Sequence, residues 1–251
     1  MLAHSYAEPP FRVGPTIDVD GAAYLILVCA GPGVFGGDAL HQSIHVGRGA
    51  RVMLTSQSAL QIHPSADTST ALLRQEYRVD EDAELEADWD PAIPFADARL
   101  DQRIAVELAA GARLLWSDAV MSGRAGRGET WQYASFAHEL HLRARDALAY
   151  LERYALTPDR RPARPWIAGD ANYAGTAIVA HESATPTAAA ELHGALQPEY
   201  AGEAAADCVR NGLVVARFLS SSGSRFAAAR DMARNLALHS IFGRAAASKR
   251  K

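Results

Sequence analysis

The sequence predicts a mainly β chain, a helically coiled or stacked sheet with a few helices toward its C-terminus. Three observations predict it. Between residues 22 and 156, short runs of β-branched and aromatic residues alternate with polar ones and are cut by Gly, Asp and Pro, the period-two signature of half-buried strands. One strand–turn–strand spacing recurs within that stretch. Helical periodicity is weak throughout this part.

Strands are expected over 24–29, 40–46, 51–57, 72–79, 84–89, 100–108, 113–120, 133–142 and 147–156. The recurring unit is Val46-Gly-Arg-Gly-Ala50, Val79-Asp-Glu-Asp-Ala83 and Leu108-Ala-Ala-Gly-Ala112; each copy ends one strand, supplies a turn and starts another. A looser fourth copy runs from Leu142 to Ala147. Starts about 30 residues apart suggest a unit that buries its apolar face by stacking on its neighbours. Independent hairpins in a β-sandwich are the alternative. The Pro- and Arg-rich stretch 157–165 reads as an extended connection, because proline removes a donor and restricts its predecessor. Beyond it follow a strand over 173–180, a helix introduced by Pro186 and running through Gln197, and a strand over 213–219. A helix over 225–242 has Phe226, Ala229, Ala233, Leu236, Ala237 and Ile241 on one stripe. The chain therefore reads as one domain over 1–251: a β-rich part (22–156), a mixed part (166–245) and a basic tail (246–251).

Composition narrows the function classes. Of 251 residues 49% are hydrophobic and 22% charged, the range of an ordinary globular chain rather than a disordered or fibrous one. With 25 Lys and Arg against 29 Asp and Glu the net charge is −4, which argues against affinity built on phosphate neutralisation. Cys29 and Cys208 make neither a disulfide framework nor a paired zinc motif, so a reducing, cytoplasmic setting is expected. The apolar run 22–30 is about half the length of a membrane span, so neither insertion nor export is expected.

Candidate chemistry is sparse. Gly31-Pro-Gly-Val-Phe-Gly-Gly-Asp38 runs into a strand rather than a helix, so it is no phosphate loop; Gly36 and Gly37 instead read as a sharp turn that aims the Asp38 carboxylate. His41 and His45, and His138 and His141, have helical metal spacing but lie in strands. There i and i+4 are about 13 Å apart and i and i+3 face opposite ways, so neither pair chelates an ion unaided. His63, beside Pro64, reads as a loop residue. No nucleophile elbow or zinc-protease motif is present. A distributed acid set among Asp38, Glu129 and Glu152 remains, and carboxylates suit a divalent cation that must move on, since oxygen donors hold transition metals less firmly than thiolates or several imidazoles.

Gly33-Val-Phe-Gly-Gly-Asp38, continuing through Val46-Gly-Arg-Gly-Ala-Arg51 and Leu54-Thr-Ser-Gln57, resembles the UreD (UreH) family of urease accessory proteins. The resemblance continues in order. It takes in Trp89-Asp-Pro-Ala-Ile-Pro-Phe95 with Ala98-Arg-Leu-Asp-Gln102, then the Gly123-Arg-Ala-Gly-Arg-Gly-Glu129 turn with its Gly123 and Gly128, and a closing strand and helix over 213–243. The departures are a leader strand missing or reduced before Glu8, Cys29 where His or Asn is usual, and Gln61 and His63 where the family has Lys and Tyr.

The resemblance implies a helically coiled β fold and a non-catalytic scaffold. Such a scaffold binds the urease apoprotein and, with UreF and UreG, assists nickel insertion; no cofactor is permanently bound and nickel(II) passes transiently. Carried over residue by residue, it implies a nickel path at Asp38 and Glu152, with Glu129 a third candidate. The C-terminal helix is expected to dock partners through Phe226, Leu236 and Ile241. The alternatives are an enzyme with a carboxylate–histidine metal site, a relative outside the urease pathway, and a carbohydrate or peptide binder with an aromatic groove at Trp89, Trp116 or Trp131.

Overall fold

The computed structural model describes residues 2–158 and 169–247. Half of the described residues (50%) are strand and 16% helix, in a stacked, solenoid-like arrangement with a C-terminal helix, which is the fold class expected. Most of the connection expected over 157–165 and of the basic tail expected over 246–251 lies outside the described residues.

β1 (Phe11–Val13) and β2 (Ile17–Val19) both pair antiparallel with β3 (Ala22–Cys29). From there the chain coils. It passes through β4 (Val34–Phe35), β5 (Ala39–Val46), β6 (Arg51–Ser56), β7 (Leu60–His63), β8 (Ala71–Val79), β9 (Glu84–Asp88), β10 (Ala92–Pro94), β11 (Arg99–Leu108) and β12 (Arg113–Met121). A small hairpin of β13 (Gly123–Arg124) and β14 (Glu129–Thr130) then leads to β15 (Ser135–Ala144) and β16 (Ala147–Leu156). Sheet one contains the parallel ladder β3-β6-β9-β12. Sheet two contains the parallel ladder β5-β8-β11-β15.

Each copy of the recurring turn is thus a crossing from sheet two to sheet one, and the strands on either side of it pair with their counterparts in the next copy. Stacked strand pairs, rather than hairpins, are what the spacing encodes. The turns themselves stack. The Asp80 amide donates to the Val46 carbonyl at 2.9 Å and the Ala109 amide to the Val79 carbonyl at 2.9 Å, while the Glu84 and Arg113 amides donate to the Ala50 and Ala83 carbonyls. The third residue past each strand end is left-handed in all three copies: Gly49 (φ 65°), Asp82 (φ 57°) and Gly111 (φ 69°), a conformation that glycine adopts freely and aspartate tolerates. The fourth copy is different. β15 and β16 form a true antiparallel hairpin within sheet two, bulged between Leu142 and Arg143. Its two central residues, Arg145 (φ 51°) and Asp146 (φ 62°), are both left-handed, as a tight two-residue turn requires.

Sheet one continues antiparallel from β12 into β17 (Tyr173–Ala180), then β19 (Leu213–Ser220) and β18 (Ala204–Arg210). β18 is alanine-rich and was not expected as a strand; its pairing with β19, not its propensity, makes it one. The outer face of sheet one is covered by α1 (Pro186–Tyr200) and α2 (Gly223–Ser240). Thr185 and Ser222 cap them, their hydroxyls accepting from the Ala188 and Arg225 amides. Covered on both faces, β9 is buried at every position but its last, whereas β8 of sheet two alternates buried and exposed. The main core lies between the sheets and includes Leu54, Tyr77, Leu85, Ile104, Leu114, Trp116, Leu140 and Ile178.

Two expectations are corrected by this packing, and one alternative falls away. Phe226 and Ile241 are each 3% exposed, and Leu236 packs against the same cluster, so the stripe is the face by which α2 seats on sheet one rather than a free docking surface. Phe226 lies directly over Gly175, where a Cβ would meet its ring at 2.8 Å. Trp116 is fully buried, and neither Trp89 nor Trp131 is exposed, so they form no aromatic groove. His63 ends β7, stacked on Phe35 and edge-on to Phe95, instead of lying in a loop.

Candidate functional site

Several inward positions between the sheets are polar although their strand neighbours of the same parity are apolar or aromatic, and five of them define the site. Gln75 stands between Leu73 and Tyr77, Gln102 between Leu100 and Ile104, and His138 between Phe136 and Leu140. Asp118 stands between Trp116 and Val120, and Glu152 between Tyr150 and Tyr154. Strand alternation turns all five into the core, where polar groups must find partners.

They form one connected seam. Gln42 and Gln75 donate through Nε2 to the Tyr77 hydroxyl at 2.6 and 3.0 Å. Gln102 Nε2 donates to Gln75 Oε1 at 2.7 Å, and His138 Nδ1 lies 3.2 Å from Gln102 Oε1. His138 Nε2 faces Asp118 Oδ2 at 3.9 Å, and the Trp116 indole donates to the same oxygen at 3.1 Å. Behind Asp118, Glu152 accepts from the Thr176 hydroxyl at 3.1 Å, from the Tyr150 hydroxyl at 3.0 Å and from Arg217. Burial pushes the Asp118 carboxyl above the usual carboxylate range, opposed by His138 and reinforced by the Glu152 charge. Burial likewise raises the Tyr77 and Tyr154 phenols.

Two cavities meet at this seam. A smaller one, about 90 Å³, is lined by Cys29, Gln42, Gln75, Gln102, Asp118 and His138 among others. A larger one, about 570 Å³, is lined by Asp118, Glu152, Thr176 and Arg217 among others. Asp118, Ala119 and Tyr154 belong to both walls, so the two cavities adjoin there.

Of the three expected carboxylates only Glu152 reaches this seam. Asp38 closes its own turn: its Oδ2 accepts from the Phe35 amide at 2.9 Å, and its amide donates to the Phe35 carbonyl. Gly37 there is left-handed (φ 94°), but Gly36 is not; a Cβ on Gly36 would meet the Ser69 carbonyl oxygen at 2.4 Å, so close approach explains it. Asp38 is nonetheless near enough to Cys29 to reinforce the upward shift that burial gives that thiol. Glu129 is gripped by Arg124, whose Nε donates at 2.7 Å and whose guanidinium lies over Phe95; this contact draws the Glu129 carboxyl below its ordinary range. Glu129 lines neither cavity. Gly123 is required beneath it, since a Cβ would meet the Glu129 carbonyl oxygen at 2.1 Å, and Gly128 is left-handed (φ 75°) after the short turn 125–127.

His41 and His45 lie on the outer face, beside Glu76 and Asp80 respectively, and the buried His138 and half-exposed His141 point opposite ways, as strand geometry demands. Among the described residues no group of three or more His, Cys, Asp and Glu gathers to hold a metal ion, so the convergence of Asp38, Glu129 and two histidines that a carboxylate–histidine enzyme needs is not found. No helix among the described residues is long and apolar enough to cross a membrane. The residues that sequence reasoning missed, Asp118, Gln75, Gln102 and Arg217, carried one available signal: a polar residue at the inward parity of an otherwise apolar strand.

Comparison with known proteins gives a consistent family. The family model described as UreD urease accessory protein matches residues 1–251. A protein named urease accessory protein UreD from Deinococcus radiodurans is 31% identical over 228 residues, 90% of this chain and 80% of that protein. A UreD from Trichodesmium erythraeum is 33% identical over 147 residues, 57% of this chain, and the match spans about half (53%) of its length. A protein named UreH from Helicobacter hepaticus is 24% identical over 158 residues, 63% of this chain and 62% of its own.

Proposed function

Since the chain belongs to the UreD family of urease accessory proteins, we propose that it is a non-catalytic scaffold that passes nickel(II) through its interior toward the urease apoprotein, acting with UreF and UreG in the cytoplasm. The observation that carries the reading is the place of Asp118: one half-buried carboxylate in the shared wall of two cavities, with the Glu152 carboxylate on the far side. Burial is the main cause of the upward shift of Asp118, and the Glu152 charge adds to it. A divalent cation relieves the repulsion between the two carboxylates, and two oxygen donors bind it without the thiolate or multiple-imidazole grip that would retain it. Arg217, already paired with Glu152, neutralises that carboxylate between transits and is the group an arriving ion displaces. Asp38 and Glu129 line neither cavity and are left outside the path.

The test is urease maturation in cells expressing the urease subunits and all accessory proteins. Asp118→Asn combined with Glu152→Gln should lower urease activity and its nickel content about tenfold, a loss comparable to that caused by disturbing a metal's supporting groups. Co-purification with UreF should persist. Undiminished nickel content with the double variant overturns the interior path.

A further inference from the structure

We infer that His138 is a nitrogen ligand for the passing ion, and that it makes the path selective for nickel over magnesium and calcium. This rests on the interior-path reading. His138 is buried, with a side chain 3% exposed, and its Nε2 has no hydrogen-bond partner although it lies in the wall of the smaller cavity. An orphaned buried nitrogen costs free energy, and such a group calls for an explanation.

The glutamine ladder fixes the ring's protonation pattern. Gln75 and Gln42 both spend their amide N–H groups on Tyr77. The Gln75 carbonyl oxygen therefore accepts from Gln102 Nε2, leaving the Gln102 carbonyl oxygen to face His138 Nδ1. Two acceptors do not bond, so Nδ1 carries the hydrogen. In the neutral ring the lone pair is then on Nε2, the atom turned toward Asp118. Orienting a ligand imidazole through its other nitrogen is how metal-binding histidines are generally held. Tyr154 stacks on the ring, centroids 4.9 Å apart and planes within 16°, and fixes its plane.

The spacing suits one ion. Bonds of about 2.1 Å from Nε2 and from a carboxylate oxygen together span the 3.9 Å between His138 Nε2 and Asp118 Oδ2. Imidazole favours nickel, whereas oxygen donors alone suit magnesium and calcium equally well. One nitrogen beside one carboxylate discriminates between them, and two protein ligands are too few to trap the ion.

The experiment is nitrogen-15 NMR of the full chain labelled at histidine, with the His138 resonances assigned through their contacts with the Tyr154 ring. The expected result is hydrogen on Nδ1, with ring signals that are broadened by substoichiometric nickel(II) and unaffected by a large excess of magnesium. His138→Gln should weaken nickel binding about tenfold by calorimetry and lower the nickel-to-magnesium preference by a similar factor; Gln102→Leu should release the fixed tautomer. Hydrogen on Nε2, or signals indifferent to nickel, overturns the inference even where Asp118→Asn with Glu152→Gln impairs maturation. The converse, a nickel-responsive His138 with maturation intact in that double variant, keeps the ligand and overturns the interior path. The wild-type spectra decide the matter should His138→Gln fail to fold.

Discussion

Arg234 of α2 and Glu86 of β9 form an ion pair in which both side chains are nearly buried, 9% and 3% exposed. It is one rung of a row. Arg230 pairs with Asp88 at 3.0 Å, and Arg244 with Glu84 at 2.7 Å and Glu86 at 3.4 Å. Glu84, Glu86 and Asp88 point outward from sheet one, so the C-terminal segment is fastened to the strand by alternate residues of opposite charge.

Removing one partner strands the other's charge. Arg234→Met should cost about 3 kcal/mol, and Arg234→Met with Glu86→Leu should recover most of it, because a buried pair is worth little against apolar replacement while a lone buried charge is expensive. Chemical denaturation of the two variants checks this; equal losses would mean that Arg244 or water already compensates Glu86.

Phe226→Ala should destabilise the chain by about 3–5 kcal/mol, the usual cost of truncating a buried phenylalanine, since its ring packs with Tyr173 and Phe218. A variant that keeps wild-type stability but loses UreF would restore the docking role that burial denies to this residue.

Gly123→Ala should cost at least about 2 kcal/mol, because φ is 130° and the added carbon runs into the Glu129 carbonyl oxygen. Gly126→Ala, three residues on, meets nothing within 4 Å and should stay within about 0.5 kcal/mol of wild type. Thermal unfolding of the pair separates a glycine required by close approach from one that is merely in a turn.

The Arg124–Glu129 contact carries a pH signature. Glu129 titrates below its ordinary range in the folded chain because Arg124 holds its charged form. Its contribution is therefore present above the unfolded carboxylate pKa and is lost as pH falls through the depressed folded value. Glu129→Gln should melt earlier than wild type at neutral pH and match it in acid; a difference that persists below the folded pKa would assign the loss to packing instead. Nickel incorporation into urease should be unchanged.

Much of this architecture was legible in the chain. The spacing from Val46 to Ala50, Val79 to Ala83 and Leu108 to Ala112 encodes the coil, since a fixed turn with a left-handed third residue repeats the same crossing. The fourth copy departs from the other three, and its Arg145-Asp146 pair contains no glycine to announce a two-residue hairpin. The seam was half legible: Glu152 lies in a stretch that resembles the family, whereas Asp118 and the glutamines are marked only by their inward parity in otherwise apolar strands, which residue type alone does not reveal.

The sequence by itself determined the local geometry: strand alternation, the crossing turns, the helix caps and the family motifs, all of which depend on residues close together in the chain. Only the tertiary structure decided that Asp118, His138 and Glu152 share one interior while Asp38 and Glu129 are spent on their own turns. Those three come from different strands, and register between strands far apart in sequence is fixed by packing two sheets over a common core. The same packing turned the apolar stripe of α2 inward, because a stripe states only that a helix must bury one face and not what it will bury it against.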